Sequence, residues 1–523
     1  MLKIDFIEDS NYKILSDEGN IEVDRVSSKE KNGIILQLRV RNTSSDPVKI
    51  YSFVVAEFFL PKDLEVKKVM ENNWLQCSEI SYKNPDYSTK KNTLFLQRDQ
   101  NPYSFRKEYG YIDNSIISEW FTSIKFNGKT LFIGAVTTAD QFSQIFIKKE
   151  NPGVFIRVTC QYDGLTLHPG QVVVSEKIFF GIGTEGVIQK EFAHSLAKHM
   201  KVREIAPSIK AMCCSYYWNG NKISQESINK DLDALENLPE RLHLDYFQLD
   251  AGYTEYFGDW LDYKERFPDG FEPIIKRIKS LGYKPGIWIS PFAINPGTKL
   301  HDHHSNWILK NIDKKHFEGR WTSPFDTLSN YIDLEVVDPT KDEVKEYLKK
   351  VLLHFKGIGF RLFKLDFMYP VCLANKFSKQ VTRAQALREG FKYIRDVLGK
   401  DCMILSGITQ LSSVVGIADY VRTGIDTLNP FVSVIPGVNE TVNDFMLEKN
   451  IQESEERMFL NGIVWNADPD ILIFRKGTGI DDYIINKHKR LAKENNMSLW
   501  IGDSIAKMDE KTKKEVIKFF NEN

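Results

Sequence analysis

The sequence has few cysteines, no excess of either charge and no long apolar segment. Its 523 residues include six cysteines, and the adjacent pair Cys213 and Cys214 suits neither a disulfide nor a metal-binding spacing. Lys plus Arg number 70 against 71 Asp plus Glu, which favours neither nucleic acid nor an anionic membrane as a partner. The N-terminus lacks the pattern of a signal peptide, and no apolar run is long enough to cross a bilayer. Reduced thiols and a cytoplasmic location are therefore predicted.

Short alternating apolar runs fill the chain up to about Gly183. Residues 33–40 and 130–136 are examples, and clusters of Asn, Asp, Gly and Pro separate such runs. This pattern predicts an antiparallel β-sandwich over residues 1–185, because period-two strands alternate with turn signals and helical spacing is nearly absent. Helical spacing first appears in residues 186–207, which are predicted to form a helical linker.

From residue 208 to residue 523, strand-like runs alternate with amphipathic helical segments. Eight strands without a glycine-rich phosphate fingerprint favour a (β/α)8 TIM barrel over a doubly wound sheet. The predicted strands are 209–216, 246–250, 284–290, 362–367, 403–407, 418–423, 462–466 and 498–501. The predicted helices are 224–237, 271–281, 342–355, 383–398, 442–459, 481–495 and 510–520, with a short helical turn near Leu411.

Two of these strands lead to an aspartate preceded by a basic residue, namely Lys364 with Asp366 and Arg422 with Asp426. Barrel enzymes carry their functional groups at the carboxyl ends of the strands, and glycoside cleavage needs two carboxyl groups. Lys364 is predicted to hold Asp366 ionised as the nucleophile. Burial in a loop is predicted to keep Asp426 protonated as the acid/base. An aspartate at a strand end also commonly serves as a turn or helix-cap residue.

Other side chains are expected at the same mouth, because they follow or lie in neighbouring strands. Asp250 follows the second strand, Trp288 lies in the third, and Asp468 and Asp470 follow the seventh. Several carboxylates and two cations are thus predicted to converge.

Together these residues resemble the α-galactosidases of glycoside hydrolase family 36. The motifs that carry the resemblance are Asn72-Asn73-Trp74, Cys214-Ser215-Tyr216-Tyr217, Phe247-Gln248-Leu249-Asp250, Gly258-Asp259-Trp260-Leu261, Pro285-Gly286-Ile287-Trp288, Phe363-Lys364-Leu365-Asp366-Phe367, Arg422-Thr423-Gly424-Ile425-Asp426-Thr427 and Asp468-Pro469-Asp470. The resemblance implies a β-sandwich on a catalytic barrel, a retaining double displacement without metal or cofactor, and a small-molecule or oligosaccharide substrate.

The resemblance also implies roles for single residues. Asp366 is the expected nucleophile and Asp426 the expected acid/base, while Lys364 and Arg422 are expected donors to sugar hydroxyls. The remaining expected substrate-binding residues are Asp250, Trp288, Trp74, Tyr216 and Asp470. Core packing is the alternative for both tryptophans.

Three departures from the family pattern are present. The chain reads Asp250-Ala251-Gly252 where family members usually carry two adjacent aspartates that hold O4 and O6 of galactose. Ala251 is expected to weaken selection for galactose or to suit a sugar altered at C6, such as β-L-arabinopyranose. Tyr216 replaces a tryptophan, which changes an aromatic wall but keeps it. The chain ends at Asn523, so the usual C-terminal β-domain is expected to be missing.

Several alternatives remain open at the level of sequence. The run His301-Asp302-His303-His304 has a metal-ligand spacing, although a solvated loop is the favoured interpretation. A β-L-arabinopyranosidase, an α-N-acetylgalactosaminidase or a sugar-binding protein without turnover is compatible with Ala251. Transglycosylation depends on how an acceptor-side loop, predicted at 295–329, excludes water. A homo-oligomer is also compatible with the sequence.

Overall fold

The first third of the chain consists of two antiparallel β-sheets. The computed structural model describes residues 5–75, 78–88, 101–103, 106–151, 153–213, 216–310, 334–428 and 438–522. After a short helix, α1 (Asp5–Glu8), the strands are β1 (Asn11–Ser16), β2 (Ile21–Glu30), β3 (Gly33–Asn42), β4 (Val48–Phe59), β5 (Val66–Asn72), β6 (Ile80–Lys83), β7 (Ile116–Glu119), β8 (Phe121–Phe126), β9 (Lys129–Ala135), β10 (Ser143–Glu150), β11 (Gly153–Leu167), β12 (Val172–Val174) and β13 (Ile178–Gly183).

One sheet has the order β1-β4-β11-β10-β7, and the other has the order β12-β3-β13-β9-β8-β5-β6 with β2 paired to β3. Alternate residues of β3 and β4 are inward-facing and apolar, and they join one hydrophobic core shared by both sheets. The prediction of an antiparallel β-domain is confirmed.

A parallel, TIM-barrel-like sheet follows. Its strands are β14 (Lys210–Cys213), β15 (Tyr246–Leu249), β16 (Lys284–Ile289), β19 (Leu362–Leu365), β20 (Met403–Ser406), β21 (Tyr420–Arg422), β22 (Asn466–Asp468), β23 (Ile471–Leu472) and β24 (Leu499–Ile501), and a separate small pair is formed by β17 (Ala293–Ile294) and β18 (Glu335–Val336). The order in the large sheet is β22-β21-β20-β19-β16-β15-β14-β24-β23. Apart from β22 and β23, the strands of this sheet that follow one another in the chain are neighbours, as expected for a barrel.

The predicted bounds of the seventh strand, 462–466, were wrong. Residues 462–464 form a turn in which the N–H of Gly462 donates to the carbonyl of Trp465 at 2.8 Å, and the strand begins at Asn466. The apolar run misled the prediction because Trp465 is buried against Trp120 of the β-domain, at 6.1 Å between ring centroids. Asp468 therefore lies within β22, and Asp470 lies between β22 and β23.

The helices that follow β13 mostly agree with the predicted spans, and the first of them packs against β9 and β13 of the β-domain. They are α2 (Val187–His199), α3 (Tyr216–Asn219), α4 (Gln225–Glu236), α5 (Glu272–Ser280), α6 (Lys299–His303), α7 (Asp342–Ile358), α8 (Arg383–Leu398), α9 (Val438–Arg457), α10 (Asp482–Glu494) and α11 (Glu510–Asn521). Thr382 and Gln385 form a capping box that fixes the start of α8. A 3-10 turn at Leu411–Val414 takes the place of a helix after β20, as predicted.

The β-domain and the parallel sheet share buried contacts. Phe459 packs against Phe121 at 5.3 Å between ring centroids. Arg383 of α8 forms a buried ion pair with Asp163 of β11. These contacts make the β-domain a fixed support for the loops beyond the parallel strands. Within the described part of the chain, no helix combines the length and the apolar character needed to cross a membrane.

Candidate active site

Asp366 follows β19 directly and is held by three N–H donors. Its Oδ1 accepts from the backbone N–H groups of Phe367 at 2.9 Å and Ile408 at 2.8 Å, and its Oδ2 accepts from Trp288 Nε1 at 3.0 Å. A Cβ at position 407 would lie 2.6 Å from Oδ1, so the neighbouring chain needs Gly407 to approach the carboxylate. Charge-assisted hydrogen bonds of this kind stabilise a carboxylate and fix its orientation.

The backbone beside Asp366 is also unusual. Phe367 adopts φ of 49°, in the left-handed region that a bulky side chain rarely occupies. Asp470 adopts φ of 74° at the break between β22 and β23. Such outliers cluster at functional sites, where surrounding contacts hold a conformation that would otherwise relax.

Lys364 forms a direct ion pair with Asp250, and its expected effect on the charge of Asp366 stays a prediction. Lys364 Nζ donates to Asp250 Oδ2 at 2.8 Å, and both side chains are buried. The same oxygen accepts from Gln248 Nε2 at 3.1 Å, and Oδ1 accepts from the N–H of Ala251 at 2.9 Å. Burial opposes ionisation of Asp250, but Lys364 outweighs it, and the pKa of Asp250 is lowered.

The ion pair leads to a stability prediction. Replacing Lys364 by methionine leaves the Asp250 carboxylate buried without its cation, and this should lower the free energy of unfolding near neutral pH by about 3–5 kcal/mol. Urea denaturation measures the loss. The double variant Lys364→Met with Asp250→Leu should recover most of it, because no buried charge remains. If the single and double variants were equally unstable, lost packing rather than the unpaired buried carboxylate would be the cause.

The same pair gives the stability a dependence on pH. The folded-state pKa of Asp250 is depressed, so the pair stabilises the fold fully above the ordinary carboxyl pKa, which is about 4. Its contribution is lost as the pH falls through the lowered folded-state pKa. The cost of Lys364→Met should therefore shrink in acid.

Arg422, at the end of β21, forms ion pairs with three carboxylates. Its Nη1 donates to Asp426 Oδ1 at 2.9 Å and its Nη2 donates to Asp470 Oδ1 at 2.6 Å, while Nε lies 3.5 Å from Asp468 Oδ2. Arg422 is buried, and these partners hold its pKa well above the ordinary value despite desolvation. The cation therefore stays charged and ties the loop that carries Asp426 to the loop after β22.

Asp426 differs from Asp366 in its surroundings. Desolvation within the pocket raises its pKa, Arg422 lowers it, and the charges of Asp470 and Asp366 raise it, with an upward net result. The side chain keeps 41% of its exposure, so it is reachable from the mouth. A carboxyl group with a raised pKa beside a fixed carboxylate is the arrangement that glycoside cleavage uses.

Two residues of the site were not singled out as site residues from sequence. The hydroxyl of Tyr217 donates to Asp470 Oδ2 at 2.6 Å, and the N–H of Thr427 donates to the same oxygen at 2.9 Å. Asp470 is thus a buried acceptor for several donors and anchors the Asp426 loop. The sequence signal for Tyr217 is its place in the motif after β14, of which only the neighbouring Tyr216 was predicted to bind the substrate.

The three aromatic residues predicted to bind the sugar lie in different surroundings. Trp288 is 2% exposed and packs on Phe257 at 5.1 Å between centroids, so its Nε1 orients Asp366. Trp74 is buried against Phe142 at 4.9 Å between ring centroids, as a core tryptophan would be. The half-buried ring of Tyr216 contacts Tyr217 edge-on at 5.2 Å. The roles of these three side chains toward a sugar stay predictions.

The histidine run lies on and just after α6. His301 places Nδ1 3.0 Å from Asp302 Oδ1 and Nε2 3.1 Å from Glu335 Oε2, and His304 stacks on Trp307 at 3.9 Å. Across the described ranges, no group of three or more His, Cys, Asp or Glu side chains could hold a metal ion. Residues 311–329 of the predicted acceptor loop, and Cys214 with Ser215, lie outside the described residues.

Residues 227–358 match the family model described as Melibiase. This stretch of the chain is similar to the melibiases. An α-galactosidase of Escherichia coli is 34% identical over 103 residues, which are 18% of this chain and 14% of that protein. The α-galactosidase AgaA of Geobacillus stearothermophilus is 30% identical over 63 residues, 12% of this chain and 9% of that protein. The aligned segments therefore span less than a sixth of these relatives, and the predicted resemblance is confirmed.

Solved structures match nearly the whole chain. TtGalA, an α-galactosidase of Thermus thermophilus in complex with p-nitrophenyl α-D-galactopyranoside, superposes with a TM-score of 0.69 at 18% identity and covers 95% of each chain. The GH36 α-galactosidase AgaA, as a variant in complex with raffinose, gives a TM-score of 0.63 at 12% identity, over 96% of this chain and 67% of that chain. At these identities the likeness shows a shared fold.

Proposed function

We propose that the chain is a retaining exo-glycosidase that hydrolyses terminal α-D-galactosides through a covalent glycosyl-aspartate. One observation carries the proposal. Asp366 is fixed by three N–H donors, while Asp426, at the same mouth, has its pKa raised by desolvation and neighbouring carboxylates. Double displacement requires one positioned carboxylate that attacks and a second carboxyl group that supplies a proton.

In the first step, a carboxylate oxygen of Asp366 attacks the anomeric carbon as the bond to the leaving oxygen breaks. Asp426 gives its proton to that oxygen, so the aglycone leaves neutral. The product is a β-linked galactosyl ester of Asp366. In the second step, the Asp426 carboxylate takes a proton from water, which attacks the same carbon and releases Asp366. Two inversions return α-galactose, and no metal or cofactor takes part.

Charged and aromatic side chains around this pair are proposed to bind the sugar. Asp250 and Lys364 form a buried donor–acceptor pair suited to hydroxyls, and Arg422 and Asp470 form another. Trp288, Trp74 and Tyr216 are proposed as aromatic contacts, with Trp288 also orienting the nucleophile. The proposed partner is a small galactoside or an oligosaccharide with a terminal galactose.

Release of nitrophenol from an aryl α-D-galactopyranoside tests the proposal, with the purified Asp366→Gly variant as background. Turnover well above that background supports it. Activity equal to the variant's would instead favour a sugar-binding protein that lacks turnover.

Position 251 is expected to set the choice of sugar. Ala251 is buried beside Asp250, and its side chain offers no acceptor to a hydroxyl. A sugar that lacks the C6 hydroxymethyl therefore loses little binding free energy at this position. Ala251→Asp should raise the ratio of kcat/KM for the aryl α-D-galactopyranoside over the aryl β-L-arabinopyranoside by about 10-fold, the scale of one hydrogen bond of about 1–2 kcal/mol. An aryl α-N-acetylgalactosaminide serves as the third substrate, and an unchanged ratio would contradict the assignment.

The finer architecture is part of the same proposal. Since β22 and β23 stand at opposite ends of the sheet order and only residues 469–470 separate them in the chain, we infer a closed (β/α)8 barrel with a strand broken at Asp470. We also infer that the two antiparallel sheets form a β-sandwich. The domain bounds of 1–185, 186–207 and 208–523 remain a proposal.

A further inference from the structure

The loop that carries Asp426 is anchored on both sides of that residue. At its start, the N–H of Thr423 donates to the carbonyl of Asp468 at 3.0 Å. At its end, the N–H and hydroxyl of Thr427 donate to Asp470 Oδ2 at 2.9 and 3.1 Å. Asp426 therefore lies on a segment whose position depends on what holds the stretch from Thr423 to Ile425.

That stretch is held by helix α9. Asn450 donates to the carbonyl of Ile425, and Glu453 Oε2 accepts from the N–H of Ile425 at 2.8 Å. The hydroxyls of Ser454 and Thr423 lie 2.9 Å apart. The contact is close, because a Cβ at position 424 would lie 2.9 Å from the carbonyl oxygen of Asn450, so Gly424 is required there.

Arg457, on the last turn of α9, connects this loop to the β-domain. Its Nη1 donates to the carbonyl of Thr423 at 2.6 Å, and its Nη2 donates to Asn72 Oδ1 at 3.3 Å and to the carbonyl of Ser78 at 3.1 Å. Asn72 is itself fixed at the end of β5, where its Nδ2 donates to the carbonyl of Glu119 at 2.7 Å. Arg457 is 1% exposed, so it is a buried bridge.

A second bridge and the local charges reinforce this connection. Lys449 Nζ lies 3.3 Å from Glu79 Oε1 in the β-domain. Burial raises the pKa of Glu453 to about 7, against the pull of Arg457 and Lys449. The helix thus offers a set of polar groups whose partners are the Asp426 loop on one side and the β-domain on the other.

We propose that Arg457 is a positioning residue for the acid/base Asp426, and that through Asn72 it makes the β-domain part of the catalytic geometry. The inference rests on the proposed function. Arg457 does not touch the sugar. It fixes the loop so that the proton of Asp426 lies within hydrogen-bonding reach of the leaving oxygen. The rate of proton transfer falls steeply when the donor is displaced by a fraction of an ångström.

The test compares two galactosides with different leaving groups. In Arg457→Met, kcat/KM for methyl α-D-galactopyranoside, which needs the proton, should fall roughly 100-fold. For 2,4-dinitrophenyl α-D-galactopyranoside, which departs without a proton, kcat/KM should stay within about 3-fold. Asn72→Ala is a milder change, because it removes only one partner of Arg457. It should shift the ratio of kcat/KM for the two galactosides in the same direction, but by less.

Arg383→Met is the matched control. Arg383 is likewise a buried arginine between the two domains, but it belongs to α8 and pairs with Asp163 of β11 rather than with the Asp426 loop. It should lower the denaturation midpoint and leave the substrate ratio unchanged. Equal losses on both substrates in Arg457→Met and Asn72→Ala would overturn the inference, since a purely structural role acts on both alike. Absence of turnover by the unaltered chain would remove the proposed function and this inference together.

Discussion

Replacing Asp366 by glycine is expected to lower kcat/KM for aryl α-D-galactosides by roughly 10⁴-fold or more, the scale at which enzymes lose a covalent nucleophile. The three N–H donors around Asp366 would keep their places, because two belong to the backbone and the third to the buried Trp288. The loss would therefore report the missing carboxylate and not a collapsed site.

Azide should restore much of this turnover, because the small anion fits where the carboxylate was removed. The product should be β-galactosyl azide, formed by one inversion at the anomeric carbon. Asp366→Asn is the control, since its amide fills the space and should not be rescued. Rescue that yields the α-azide, or equal rescue of both variants, would contradict the role of Asp366.

Replacing Asp426 by glycine should give a loss that depends on the leaving group. With methyl α-D-galactopyranoside, kcat/KM should fall about 10²–10⁴-fold, the usual contribution of general acid catalysis. With 2,4-dinitrophenyl α-D-galactopyranoside, kcat/KM should change little, while kcat should fall because water is no longer activated in the second step. Azide should raise that kcat and give α-galactosyl azide. A uniform loss across both substrates would assign Asp426 a binding role.

The pH profile supplies a second readout of Asp426. The acid acts in its protonated form, so kcat/KM for the methyl galactoside should fall as the pH rises through the raised pKa of Asp426. For the dinitrophenyl galactoside this alkaline limb should be absent. The same limb in both profiles would mean that a different group titrates.

The edge of the parallel sheet that carries Asp366 and Asp426 could be predicted because its signals are local. Asp366 and Asp426 follow recognisable apolar strands, and parallel strands present their carboxyl ends on one side. The partner of Lys364 could not be predicted in the same way. Lys364 faces Asp250 across β16, the strand between β15 and β19, and that pairing depends on register and on depth in the sheet.

The misplaced seventh strand has a similar cause. Val464 and Trp465 are buried although they precede the strand, and Trp465 packs against Trp120 of the β-domain. The hydrogen bond between Arg457 and Asn72 joins residues that are 385 positions apart in the chain. No local pattern marks such a contact, so only the folded chain reveals that the β-domain reaches the helix behind Asp426.

The most direct test of the account is the configuration of the sugar first released from an α-D-galactopyranoside, followed by proton NMR before mutarotation, with Asp366→Gly as background. The account predicts that α-galactose appears first and that only the unaltered chain produces it. If β-galactose appeared first, or if the variant released sugar at the same rate, a double displacement through Asp366 would be contradicted.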